Sequence, residues 1–409
     1  MKKTIFKMIG LVIMFMLLCL IISCEKKPEK ESILIGASRP LSGYQNVYEQ
    51  VAFGPIYKMW VDEINADGGI YVEEYGKKLP IELIVYDDES DIDKMQKNLA
   101  KLVEEDNVDI LLPSSGTTFL LAAAPIANKY GKLLMGAEGA AVKLSEIISE
   151  LPYVYSVLNF STHAQMPALI DIMKDAGVKT AAMVYLSDVF GIEYSDVART
   201  MFPDNGIDIV MEQSIPIGIE DMSPIINQAK SLNVDAFLCF AYPDQNILAT
   251  AQSIELDFSP KLFITGPGVN FEFFIGIFGD AIEGLMAFGA WNEKVSPEHK
   301  EFADKLTALY GRDTLDWWGH NIYYAGLQFL AQAIEKAGTL DNEKIREMYA
   351  TETFNTILGP THFDKNHLLA EECYSGQVGQ WQNGIFEVVS PFNKATADYI
   401  YPKPPWPKE

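Results

Sequence analysis

Ser114-Ser115-Gly116-Thr117-Thr118 is the run in this sequence best suited to holding an anion. It sits between a strand-like apolar run, Val108 to Leu112, and a segment of helical period that opens at Phe119. At such a junction free backbone N–H groups and the positive end of a helix dipole face the same space. Hydroxyl donors there suit a carboxylate. A Walker-type phosphate loop is excluded, because no Gly-Lys-Ser/Thr follows and no lysine is at hand to meet a phosphate. The same residue types cap helices routinely, and that alternative stands beside the first. Five small or hydroxylated residues in succession nevertheless exceed what one cap requires.

Other strand ends carry chemistry-bearing residues of complementary kinds: Arg39 with Ser42 and Tyr48; Glu138 within Gly136-Ala137-Glu138-Gly139; Asp188 with Phe190; Tyr242 with Asp244; and Gly266-Pro267-Gly268 with Asn270. Taken singly, Arg39 reads equally as half of a surface ion pair, Asp188 and Asp244 as helix caps, Phe190 and Tyr242 as packing. Together they supply a cation, hydroxyls, aromatic walls and carboxylates, the set a zwitterionic ligand needs. Catalysis has no comparable support. The histidines, His163, His299, His320, His362 and His367, follow no metal-ligand spacing, there is no Gly-x-Ser-x-Gly elbow, and the one acid–base pairing to nominate is Glu138 with Arg39. The reading is therefore a binding protein without metal or cofactor, not an enzyme. The acidic run Asp87 to Asp93 lacks the glycine and terminal glutamate of a calcium loop and reads as a solvated strand-to-helix turn.

The elements that must position these residues alternate. Ile33–Ala37, Ile81–Tyr86, Val108–Leu112 and Leu133–Met135 read as strands; Phe53 to Ile64, Ile92 to Val103 and Phe119 to Tyr130 read as helices between them. The alternation begins again after Tyr153: helices His163–Ala176, Ile192–Met201, Ser223–Leu232 and Gln245–Ile254 separate strands Ala181–Leu186, Ile207–Met211, Val234–Phe240 and Leu262–Thr265. The fold class is α/β, two doubly wound parallel-sheet lobes. Helices Glu298–Tyr310 and Ile322–Ala337, with no fresh strands around them, are expected to rejoin the first lobe. Pro402 to Pro407 reads as an exposed tail.

At the N-terminus Lys2, Lys3 and Lys7 precede an apolar run from Met8 to Ile22 that closes on Ser23-Cys24, the form of an export signal resembling a lipobox. Residues 1–23 are expected to be removed, leaving Cys24 lipidated at the head of a charged tether, 24–31; the alternative is an ordinary cysteine in an uncleaved anchor or a secretory signal. The chain of 409 residues has a net charge of −24. Nucleic acid is an unsuitable partner for such a surface. Cys239 and Cys373 remain; Cys239 lies in an apolar run and reads as a buried thiol, with a disulfide between the two as the alternative.

Ile35-Gly36-Ala37, Pro40-Leu41-Ser42-Gly43, Asp62-Glu63-Ile64-Asn65-Ala66-Asp67-Gly68-Gly69-Ile70, Asp87-Asp88, Ala124-Pro125-Ile126-Ala127, Phe190-Gly191 and Gly359-Pro360 together resemble the leucine/isoleucine/valine-binding proteins of ABC importers, the type I periplasmic binding proteins. The resemblance implies two lobes joined by a three-crossover hinge, the first of about 32–157 plus 286–358 and the second of about 158–285 plus 359–409. It implies a ligand carboxylate held by Ser114, Ser115, Gly116 and Thr117, an aromatic wall at Tyr48, and closure that brings Phe190 and Tyr242 over the ligand. It also implies a membrane permease as partner and a location in the cell envelope, outside the cytoplasmic membrane. Fold alone leaves open a sensor that presents its ligand to a signalling receptor. Two departures bear on the ligand. The family's threonine is missing from the Gly136 to Ala140 loop, and Gly268 stands where a glutamate for the amine belongs. Glu138, beside Gly139, is the first replacement for that charge and Asp244 the second; otherwise the ligand has no amine and Arg39 serves a carboxylate.

Overall fold

The structure, a computed structural model, describes residues 29–112, 115–136, 146–157, 164–374 and 376–408. The first lobe is built on β1 (Ile33–Arg39), a small hairpin of β2 (Ile70–Val72) and β3 (Lys77–Leu79), then β4 (Ile81–Asp87), β5 (Ile110–Leu112), β6 (Leu134–Gly136) and β7 (Val154–Ser156). Its main sheet runs β4-β1-β5-β6-β7, parallel throughout. Side chains alternate across β1 as strand geometry demands. Ile33, Ile35 and Ala37 are fully buried in the larger core, with Ile56 and Trp60 of the helix Gly54–Ala66, whereas Leu34 packs against Met95, Leu99, Leu102 and Val108 on the other face. Both faces are covered, as a parallel sheet requires.

The second lobe contains β8 (Thr180–Leu186), β9 (Asp208–Ile215), β10 (Ala236–Phe240), β11 (Leu262–Gly266) and β12 (Met286–Ala290), and, after a hairpin of β13 (Phe354–Thr356) and β14 (Gly359–Thr361), β15 (Gly376–Gln382) and β16 (Ile385–Ser390). The order is β16-β15-β12-β11-β10-β8-β9, with β15 and β16 antiparallel at one edge. The chain thus passes between lobes after β7, after β12 and through β13–β14. The boundary expected at 286 shifts: β12 pairs with β11 and β15, so the return to the first lobe follows Ala290.

The late helices pack against elements of the first lobe. Tyr324, on the helix His320–Ala337, donates its hydroxyl to Glu63 at 2.7 Å, and Asn342 accepts from Leu133 N at 2.6 Å while donating to Asp109 O at 3.0 Å. No described helix is long and apolar enough to cross a membrane.

The C-terminal segment is not an exposed tail. Trp406 is 4% exposed, donates its indole N–H to Phe258 O at 2.7 Å and packs edge-on to Phe263, while Lys403 N donates to Lys261 O. Prolines bar a ladder of hydrogen bonds, but a single aromatic anchor needs none. Cys239 and Cys373 are both buried free thiols, so the disulfide alternative falls away. Burial pushes the Cys239 thiol up to about 12.

Candidate functional site

The parallel strands of the two lobes repeat one order, which reverses direction between β1 and β5 in the first and between β8 and β10 in the second. Ligand crevices open beyond the carboxyl ends of strands at such reversals. Four segments follow those strand ends: the one carrying Tyr48, the one carrying Ser115 to Thr117, the one carrying Asp188 and Phe190, and the one carrying Tyr242. The structure brings all four together.

From the first lobe, Ser115, Gly116 and Thr117 open the helix Thr117–Tyr130. The capping position is Gly116, which has no side chain to cap with. Gly116 has φ +92°, and a Cβ on it would come 3.2 Å from Gln45 Nε2 and 3.7 Å from the Tyr242 hydroxyl of the other lobe. A side chain at this position would be strained and crowded. From the second lobe, Asp188 caps the helix Val189–Asp204 by accepting from Gly191 N at 2.9 Å through Oδ1, and its Oδ2 accepts the Tyr242 hydroxyl at 2.7 Å. Capping and positioning are therefore one arrangement, each using its own carboxylate oxygen. Phe190 stacks on Tyr242 with centroids 5.5 Å apart, and Tyr48 meets Tyr242 edge-on at 6.1 Å across the lobes.

Together with Pro267, Phe53, Trp318 and Tyr323, these residues enclose a cavity of about 30 Å³ whose walls are six aromatic rings and the Ser115–Thr117 turn. Among the described residues no charged side chain lines it. The carboxylates lie just outside: burial, then Asp316, Asp188 and Asp244, push the Tyr48 phenol well up, which keeps it a neutral hydroxyl. Burial and Asp188 do the same to Tyr242.

The structure places the other expected residues elsewhere. Arg39 is fully buried behind the cavity, not in its wall. Its Nε donates to Glu49 at 2.8 Å and its guanidinium lies 4.6 Å from the Phe53 ring centroid and 5.0 Å from that of Tyr57. It fixes Phe53, a ring that does line the cavity. Asp244 stands exposed in the first turn of the helix Pro243–Glu255. Gly268 has φ +117°, and a Cβ there would come 2.8 Å from Pro243 Cα. The departure at Gly268 has this physical reason: no glutamate fits that backbone. Ser114, Glu138, Gly139 and Cys24 lie outside the described residues. The carboxylates of the acidic run go into its turn: Asp87 accepts from Ser42 and Glu89 N, Asp88 from Ser90 N, and Asp91 from Lys94 N as the cap of the helix Ile92–Glu104.

Sequence reasoning missed Phe53, Trp318 and Tyr323 as cavity residues, while Pro267 belongs to a strand end it had singled out. Trp318 belongs to a segment between two late helices that follows no strand. It reaches the crevice because Glu272 N donates to Leu315 O at 2.8 Å and Trp317 N to Asn270 O at 3.0 Å, tying 315–317 to the loop after β11. Two adjacent tryptophans in a connection were the available signal.

Comparison with known proteins agrees with this architecture. A family model described as periplasmic binding protein matches residues 32–384. The Leu/Ile/Val-binding protein homolog 7 of Brucella suis is 23% identical over 394 residues, covering 92% of this chain and 96% of that protein. The branched-chain amino acid transporter substrate binding protein LivJ of Streptococcus pneumoniae, solved in complex with isoleucine, superposes with TM-score 0.73 at 19% identity, covering 87% of this chain and 98% of that one. A solute binding protein of an ABC transporter from Rhodopseudomonas palustris, solved with 3,4-dihydroxy benzoic acid, gives TM-score 0.74 at 19% identity, covering 93% and 99%.

Proposed function

This chain belongs to the periplasmic binding protein family, and we propose that it is the extracytoplasmic substrate-binding lipoprotein of an ABC importer, closing its lobes around an amino acid or related small carboxylate. The observation that carries the reading is the Ser115–Thr117 turn, its helix N-terminus opening onto a ring-lined cavity made jointly by both lobes. Isoleucine and 3,4-dihydroxybenzoic acid, bound by two proteins of like fold, share a carboxylate and little else, so the carboxylate is the common handle. Ser115 and Thr117 with the first N–H groups of the helix hold it; Tyr48, Phe53, Phe190, Tyr242, Trp318 and Tyr323 enclose the rest by apolar contact.

A cavity of about 30 Å³ is far below the roughly 300 Å³ or more of a ligand pocket. Entry therefore requires the lobes to part about the three crossings. The Tyr48–Tyr242 pair across the lobes contributes only about 1 kcal/mol, which opening can overcome. Tethering rests on the export signal and Cys24, and the permease is the partner such a lobe pair addresses.

Thermal melts of the purified protein with a panel of amino acids and small carboxylates test the ligand class. A ligand at a hundred times its dissociation constant stabilises by about 2.7 kcal/mol. No shift across the panel would refute it. Incorporation of labelled fatty acid in cells, lost in Cys24→Ser, tests the anchor; equal labelling of that variant would refute it.

A further inference from the structure

Asp316 is a buried carboxylate that gives one oxygen to the fold and keeps the other unpaired among the described residues. It is 0% exposed and does not line the cavity, but it is hydrogen-bonded to the backbone of Trp318, which does. Its backbone pairs with Phe271, whose ring meets Tyr48 edge-on at 6.1 Å. Its Oδ1 accepts from Trp318 N at 2.9 Å and from Asn270 Nδ2 at 2.7 Å. Its charge acts on the phenol of Tyr48. Both Tyr48 and Trp318 line the cavity.

The second oxygen, Oδ2, is buried and has no hydrogen-bond partner among the described residues. Among the described residues no positive charge balances the carboxylate either. Arg39 is held by Glu49, and Arg312, the cation on the adjoining segment, is held by Glu272 and Glu293. His320 is kept neutral by burial, which lowers it to about 4; its Nδ1 then accepts from Asp316 N at 3.4 Å and its Nε2 donates to Val51 O at 2.8 Å. A buried carboxylate without a counter-charge is costly unless something supplies one. Accordingly its own carboxyl is pushed up to about 7 by burial, against the pull of Gly319 N, Trp318 N and Asn270. A ring of aromatic faces beside a carboxylate is a recognition surface for an ammonium group.

We infer that Asp316 receives the cationic amine of the ligand, with the aromatic rings around it, so that the cleft selects amine-bearing acids over acids that lack an amine. The inference rests on the carboxylate-binding reading of the cleft and adds a second fixed point to it. One end of the ligand lies on the Ser115–Thr117 turn and the other on Asp316. Asp316 takes the role that the sequence leaves without an owner at Gly268.

Matched pairs test it: L-phenylalanine against 3-phenylpropanoate, and L-leucine against 4-methylpentanoate, titrated calorimetrically into wild type and Asp316→Asn. In wild type at least one amino acid is expected to bind more tightly than its amine-free partner. In Asp316→Asn that amino acid should weaken roughly 10- to 150-fold, the loss of a hydrogen bond to a charged group, while the partner acid keeps its affinity. If that amino acid binds the variant as well as wild type the inference is overturned, and so it is if neither amino acid binds wild type more tightly than its amine-free partner, a comparison needing no variant. Either result leaves the carboxylate reading standing. Failure of all four compounds refutes the ligand class itself and the inference with it.

Discussion

Asp316→Asn has a consequence for stability that needs no ligand. Burial raises this carboxyl from an ordinary value of 3.8 to about 7, so the folded protein holds the proton more tightly than the unfolded chain. Stability from this group is fully present below about pH 4 and is lost as pH rises through 7. The rise is about three pKa units at about 1.36 kcal/mol each, so wild type carries a penalty of up to roughly 4 kcal/mol at pH 8 that is absent at pH 4. Asparagine keeps the shape and cannot ionise. Urea unfolding at pH 8 should therefore find Asp316→Asn more stable than wild type, and the difference should shrink towards zero by pH 4. Titrating groups remote from Asp316 cancel in the comparison. A variant destabilised equally at both pH values would refute the reasoning, showing that the Asn270 and Trp318 hydrogen bonds matter and the charge does not.

Other perturbations follow from the same geometry. Gly268→Ala should cost about 1–3 kcal/mol, read by thermal melting, because φ +117° and Pro243 Cα at 2.8 Å leave no place for a Cβ. His299 and His320 are lowered to about 4 by burial; their contribution is complete above about pH 6.5 and lost as pH falls towards 4. His320→Gln should thus flatten the acid-side stability profile by about 2–3 kcal/mol between pH 7 and pH 4, and an unchanged slope would contradict the assignment. Trp406→Ala should destabilise the second lobe by about 3 kcal/mol in the same melts, whereas an exposed tail would lose nothing measurable.

The alternation of apolar runs and helical periods made the lobes readable, since a doubly wound sheet writes its strands as continuous hydrophobic stretches such as Phe237 to Phe240, fully or almost fully buried. The strand-end rule likewise led to Tyr48, Ser115, Phe190 and Tyr242. It failed where position depends on pairing between distant segments. Trp318 and Asp316 follow no strand and reach the cleft only through hydrogen bonds to the loop at Asn270 and Glu272. It failed for Arg39 for the opposite reason: its place after β1 is as expected, but Glu49, Phe53 and Tyr57 capture the guanidinium before it reaches the cavity. The antiparallel strands β15 and β16 alternate weakly, with Gly376, Gln377, Gly379, Gln380 and Gln382 all in one strand, and gave no periodic signal.

In the proposed mode of binding, one small ligand is held between the lobes against the aromatic wall. Calorimetric titration of L-phenylalanine and L-leucine into wild type and Trp318→Ala tests it most directly. One site per chain is expected in wild type and an affinity at least about tenfold weaker in the variant, the loss of roughly 1.4 kcal/mol or more of ring contact. Binding of unchanged affinity in Trp318→Ala would place the ligand elsewhere and contradict the account.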